Sequence, residues 1–166
     1  MVLTNCKVIN VCNGKIIHGN IAIDGGKIIG IGPYEKKKKI DLGGAYVAPG
    51  LIDAHMHMES TLVTPGQMAR IIVPRGTTTV VADPHEIANV LGIEGVEFML
   101  DATEKTTLNG FFMLPSCVPS TDFETSGAKL NADKLSELFN HPKVLGLVEL
   151  MNYPGVMAVL TEIIKK

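Results

Sequence analysis

The sequence predicts an α/β protein: a small β-module over residues 1–48, followed by four βα units over residues 49–166. Three observations carry this. Short apolar runs broken at glycine turns fill the first 48 residues, strand patterns alternate with helical ones from Pro49 onward, and the apolar run that opens this second part ends in His55 and His57. A complete (β/α)8 barrel takes about 250 residues, so four units amount to its first half, unless they form a free-standing open sheet.

In the first module Val2 to Ile9, Lys15 to Ile23 and Lys27 to Ile31 read as strands, separated at Asn13-Gly14, Asp24-Gly25-Gly26 and Gly32-Pro33. Asp24-Gly25 is a two-residue hairpin signal. The basic run Lys36 to Lys39 reads as a solvated turn between short strands, and His18 as an ordinary surface residue at a strand edge.

The alternation after Pro49 implies a mostly parallel sheet with right-handed crossovers. Leu51 and Ile52 make the first strand read as buried. Thr64-Pro65-Gly66-Gln67 reads as a helix start, with Thr64 as N-cap, Pro65 at the first helical position and Gln67 closing a capping box; Met68, Ile71 and Ile72 supply the core-facing stripe. Pro74-Arg75-Gly76 stops that helix, and the β-branched run Thr77 to Ala82 is the second strand. Asp83-Pro84-His85-Glu86 repeats the start chemistry ahead of a helix that breaks at Gly92 and resumes through about Lys105. Phe111 to Pro115 is the third strand. A loop rich in Pro, Ser and Thr leads to a short helix over Ala132 to Phe139, capped by Asn131, and Val144 to Glu149 is the fourth strand. Pro154-Gly155 opens a last helix in which Val156, Val159, Leu160, Ile163 and Ile164 keep helical spacing.

Composition narrows the function. The chain is 46% apolar and 19% charged with net charge −2, so bulk electrostatics suggest neither a nucleic-acid nor a membrane-surface partner. Cys6, Cys12 and Cys117 are an odd, scattered set, which argues against a disulfide framework and fits a reducing cytoplasm. No run of 18 apolar residues or signal-peptide pattern interrupts the sequence. A soluble cytoplasmic protein is the expectation.

The chemistry concentrates at the predicted strand ends. Residues i and i+2 of a strand face the same side about 6.5 Å apart, so the His55 and His57 imidazoles can reach one metal ion at roughly 2.0–2.1 Å. Their place at the carboxyl end of a strand is where α/β barrels keep their active sites. The alternative is a pair of satisfied core histidines. Asp53 lies on the same face, as a third ligand or as a carboxylate that orients one. Glu149 ends an otherwise apolar strand; buried, it needs a metal or an arginine, and otherwise it is simply exposed. Asp83 as N-cap and Glu86 as its capping-box partner account for both carboxylates without a functional role, whereas capping leaves His85 unexplained. Glu59, Ser60 and Thr61 follow the histidine pair closely enough to line the same mouth. Met56, Met58 and Met68 read as packing.

These segments together resemble the adenine deaminases of the amidohydrolase superfamily. The matching text is Pro-Gly-Leu-Ile-Asp-Ala-His-Met-His-Met-Glu-Ser from Pro49, Pro-Arg-Gly-Thr-Thr-Thr-Val-Val-Ala-Asp-Pro-His-Glu-Ile-Ala-Asn-Val from Pro74, Phe-Met-Leu from Phe98, Leu-Pro-Ser-Cys-Val-Pro-Ser from Leu114, Glu-Thr-Ser-Gly-Ala from Glu124 and Glu-Leu-Met-Asn-Tyr-Pro-Gly-Val from Glu149. The resemblance implies a metal-dependent-hydrolase (β/α)8 TIM-like barrel, of which residues 49–166 are the first half, and a small β-sandwich to which residues 1–48 contribute. It implies a binuclear centre of manganese, iron or zinc, with His55, His57 and Glu149 as ligands and Glu149 bridging the ions. It implies hydrolysis of adenine to hypoxanthine and ammonia, a purine-salvage reaction. Glu149, His85 and Glu86 are then the candidate catalytic residues, with Asp53 and Asp83 supporting the ligands from behind.

The resemblance also places the second ion's histidines and a proton-shuttling aspartate on later strands, and no His or Asp follows Glu149 here. These 166 residues are therefore expected to be inactive alone, with half-barrel edges and an apolar interior that favour self-association. Other readings stay open: an amidohydrolase acting on another cyclic amide, a non-catalytic or partner-dependent module, or a self-contained domain with one metal.

Overall fold

A computed structural model of the chain describes residues 1–121 and 123–158. The chain divides into two compact units, Met1–Pro49 and Gly50–Lys166.

The first unit is one mixed sheet built from β1 (Val2–Asn10), β2 (Lys15–Asp24), β3 (Lys27–Gly32), β4 (Lys39–Asp41) and β5 (Tyr46–Val47). The strands β1, β2 and β3 pair antiparallel in sequence, while the short β4 and β5 add in parallel along β1. The sequence marks the first three; β4 and β5, of three and two residues, are too short to show periodicity. The β2–β3 turn falls on Gly25-Gly26, one residue beyond the Asp24-Gly25 signal, because Asp24 still pairs with Lys27. Both glycines have positive φ, +53° and +75°, as a two-residue turn matched to the sheet twist requires. Cys6, Val8 and Ile21 form the small core, with Leu3, Ile17 and Val47 against it. His18 is exposed.

The second unit contains β6 (Leu51–Met56), α1 (Pro65–Ile72), β7 (Thr77–Ala82), α2 (His85–Leu91), α3 (Ile93–Glu104), β8 (Asn109–Leu114), α4 (Ala132–Ser136), β9 (Val144–Leu147) and α5 (Tyr153–Met157). Its four strands are all parallel and lie in sequence order, β6-β7-β8-β9, as consecutive βα units dictate. Val80, Ala82, Phe112 and Leu114 from the sheet pack against Met68, Val96, Met99 and Leu100 from α1 and α3. Met58 and Met68 are buried in this core, as packing methionines should be.

Several local readings are corrected. Thr64 has the extended N-cap backbone of α1, yet its side chain makes no capping bond, so the capping box does not form. Met68 and Ala69 carry the buried stripe of α1; Ile71 is 47% exposed, turned to the flank of the helix. Pro84, not Asp83, is the N-cap of α2, and no side chain of its own caps that helix. Leu51 and Ile52 are exposed because β6 has a neighbour only on its β7 side among the described residues. The helix α4 ends at Ser136 and β9 at Leu147, which leaves Glu149 two residues past the strand. Asn131 does cap α4, its side chain accepting the Lys134 N–H at 3.0 Å. Gly92, with φ +66°, divides α2 from α3 where the sequence marks the break. Of the last helix, Tyr153–Met157 is described, and Val159, Leu160, Ile163 and Ile164 lie outside the described residues.

Candidate metal centre

His55 sits near the end of β6 and His57 just beyond it, their rings edge to face with centroids 5.3 Å apart. Glu149 approaches from the far end of the sheet, past β9, with a carboxylate oxygen 3.9 Å from His55 Nε2. Two tertiary contacts extend β9 toward it: the Val148 N–H donates to the Leu114 carbonyl at 2.9 Å, and the Ser116 hydroxyl donates to the Glu149 carbonyl at 2.6 Å. Ser116 is a positioning contact that no spacing in the sequence signals, because its partner is 33 residues away.

One ligand-type atom from each of His55, His57 and Glu149 lies within 4.8 Å of the others. Donors on a single tetrahedral ion at 2.0–2.2 Å sit about 3.4 Å apart. The three groups are thus somewhat wider than a closed site, and all three side chains are at least partly exposed. Two imidazole nitrogens and a carboxylate oxygen are a donor set suited to zinc, iron or manganese.

Carboxylates surround His57. Its Nδ1 lies 3.0 Å from a Glu86 oxygen, and its Nε2 lies 3.9 Å from an Asp83 oxygen. Since a carboxylate only accepts, the neutral ring carries its proton on Nδ1, and the Nε2 lone pair is left for a ligand. Partial burial lowers the His57 pKa, but the Glu86 hydrogen bond, with the charges of Glu86, Asp83 and Glu149, outweighs it and holds the ring above its ordinary 6.5. Burial raises Glu86, yet hydrogen bonds from its own backbone N–H, Ser60 and His57 bring it below the ordinary glutamate range. The Ser60 hydroxyl donates to the other Glu86 oxygen at 2.9 Å. Glu86 thus faces the histidine cluster rather than acting as a capping-box partner.

Asp83 is fully buried, and neither of its oxygens has a hydrogen bond among the described residues. His85 is buried beside it, with Nδ1 3.7 Å from Asp83 Oδ2 and no hydrogen bond on either ring nitrogen. Buried carboxylates are costly unless paired, and the polar groups nearest Asp83 are the His85 and His57 rings at 3.7 and 3.9 Å, beyond hydrogen-bond distance. Asp53 is exposed, and its carboxylate accepts the His55 backbone N–H at 3.3 Å, bracing the strand that carries the pair.

Parallel strands in sequence order, with histidines and a carboxylate converging beyond their carboxyl ends, place this group where α/β barrels carry their active sites. The chain belongs to the Amidohydrolase family, whose profile matches residues 46–166. Within that family its similarity runs to adenine deaminases. It is 54% identical over 166 residues to the adenine deaminase of Clostridium acetobutylicum and 52% identical over 166 residues to adenine deaminase 2 of Carboxydothermus hydrogenoformans. In both cases all of this chain aligns with 29% of the relative, so the chain spans less than a third of their length. Among solved structures, D-hydantoinase from Thermus sp. matches 82% of this chain and 30% of its own with TM-score 0.59 and 21% identity. A β-aspartyl dipeptidase from Fervidobacterium islandicum AW-1 matches 99% of this chain and 46% of its own with TM-score 0.58 and 19% identity. These structural likenesses concern the fold.

Proposed function

We propose that these residues form the amino-terminal part of an adenine deaminase and carry one half of its metal centre. The observation that carries the reading is the convergence of His55, His57 and Glu149, in a chain about half identical to adenine deaminases along its whole length. On this reading residues 1–48 belong to a small β-sandwich and residues 49–166 are the first four units of a (β/α)8 barrel. His55, His57 and Glu149 would hold manganese, iron or zinc, with Glu149 shared between two ions. A bound divalent ion makes a water nucleophilic at neutral pH.

The protein's own groups do the rest. On this reading Glu86 would fix the His57 tautomer from Nδ1, Ser116 would hold the backbone of Glu149, Asp53 would brace the backbone at His55, and the buried Asp83 charge would lie 3.9 Å behind His57 Nε2. Glu149, His85 and Glu86 are the acid–base candidates for moving the water's proton toward the purine ring and the departing amino group. The balanced reaction takes adenine and water to hypoxanthine and ammonia. The 166 residues alone are expected to release no ammonia from adenine, because the three candidate ligands grouped among the described residues fall short of a binuclear site.

A chimera tests the function. Residues 1–166 replace the matching segment of the Clostridium acetobutylicum relative. The expected result is ammonia release from adenine, lost by at least about a hundredfold in His55→Ala, His57→Ala and Glu149→Gln. A folded, metal-loaded chimera inert toward adenine but active on a cyclic amide such as dihydroorotate would move the assignment to another amidohydrolase.

A further inference from the structure

The N-cap of α2 is Pro84, which offers no side-chain cap to the first turn. Its Ile87 N–H is taken instead by Glu59 Oε1 at 3.2 Å, from the turn that follows β6, 28 residues earlier in the chain. The next residue of that turn, Ser60, donates to Glu86 at 2.9 Å. Two bonds from neighbouring residues therefore clasp the first turn of α2, one on its backbone and one on its side chain. Glu86, held in this clasp, is the residue that engages His57 Nδ1 at 3.0 Å.

The Glu59 carboxylate is partly buried, with Oε2 inaccessible and without a hydrogen bond among the described residues. The carboxylate accepts its own backbone N–H as well as that of Ile87, and burying a carboxylate for two amide bonds is poor economy for stability alone. Its placement makes sense for registry: the bond fixes where α2 starts, and hence where Glu86 points.

We propose that Glu59 is a positioning residue that caps α2 from the neighbouring loop and thereby sets Glu86 against His57, fixing the ring tautomer that leaves Nε2 for a ligand. Its consequence for metal affinity rests on the metal-centre reading above; its consequence for the His57 ring does not. The residue makes no hydrogen bond to the candidate ligands among the described residues, and its positioning effect runs through the start of α2 to Glu86.

The test uses the 166-residue chain, wild type and with Glu59→Met, which keeps length and removes the acceptor, or Glu59→Gln, which keeps an acceptor oxygen. Three measurements are made: the nitrogen-15 shifts of the His57 ring at a pH where it is neutral, the exchange rate of the Ile87 amide, and cobalt(II) affinity. Expected are a predominantly Nδ1–H ring in wild type and Glu59→Gln, a shift toward the Nε2–H tautomer in Glu59→Met, and cobalt affinity about tenfold weaker in Glu59→Met alone. An unchanged His57 ring in a folded Glu59→Met protein overturns the proposal. So does an Ile87 amide in wild type that exchanges as fast as an open loop, a measurement that decides the matter even where Glu59→Met does not fold. Absence of cobalt binding by wild type, with the tautomer response intact, removes the metal-centre reading and leaves the positioning role standing.

Discussion

His57 and Glu86 exert opposite pulls on protons, and their pH window follows from the sign of each shift. His57 is raised, so its contribution to stability is fully present below the unfolded value near 6.5 and is lost as pH rises through the folded value. Glu86 is lowered, so its contribution is present above about 4.5 and is lost as pH falls through its folded value. The pair therefore stabilises the metal-free protein most between 4.5 and 6.5. In the presence of chelator, the melting temperature of wild type should exceed that of Glu86→Gln by the widest margin in this interval, with the margin shrinking toward pH 9; a margin that is flat with pH counts against the ion pair. Both groups are partly exposed, so the effect is modest. The histidine pair was legible from its two-residue spacing at a strand end. The contact of Glu86 with His57 was not legible from spacing, because Asp-Pro-His-Glu by itself spells local capping chemistry and only the resemblance pointed Asp83 and Glu86 toward the site, while the folded chain gives Glu86 to a ring 29 residues away.

Among the elements, those marked by strong local chemistry were the most readable. The strand β7 runs over Thr77–Ala82 as its β-branched composition and flanking Gly76 dictate, and Asn131 caps α4 as its position before the helix suggests. Asn131→Ala should cost about 1 kcal/mol, the usual value of a side-chain cap, in a urea titration followed by circular dichroism. Thr64→Ala should cost less than half as much, since its hydroxyl makes no capping bond; equal losses would mean that the two caps differ less than their geometry. Elements whose identity depends on pairing were hidden. The three residues of β4 and two of β5 exist only because β1 offers them an edge, and β9 stops at Leu147 although apolar residues continue.

For the molecule as a whole, the sheet of the second unit presents β6 as an edge among the described residues, with Leu51 and Ile52 each 65% exposed. An apolar edge strand is a template for pairing. Sedimentation of the 166-residue chain should show concentration-dependent association, reduced in Ile52→Lys; a monomer at every concentration in both proteins would remove that expectation. The parallel fold class was legible because βα alternation survives at low resolution, whereas the exposure of β6 depends on which neighbours a strand has. The sequential order of the strands has a kinetic side as well. Leu51 pairs with Thr77, Thr79 with Asn109 and Phe112 with Val144, so each new strand closes a loop of about 30 residues onto the one before it. Among the described strands of this unit each pairing is with the strand before it, so this sheet can grow unit by unit as the polypeptide leaves the ribosome, with the histidine-bearing strand in place first.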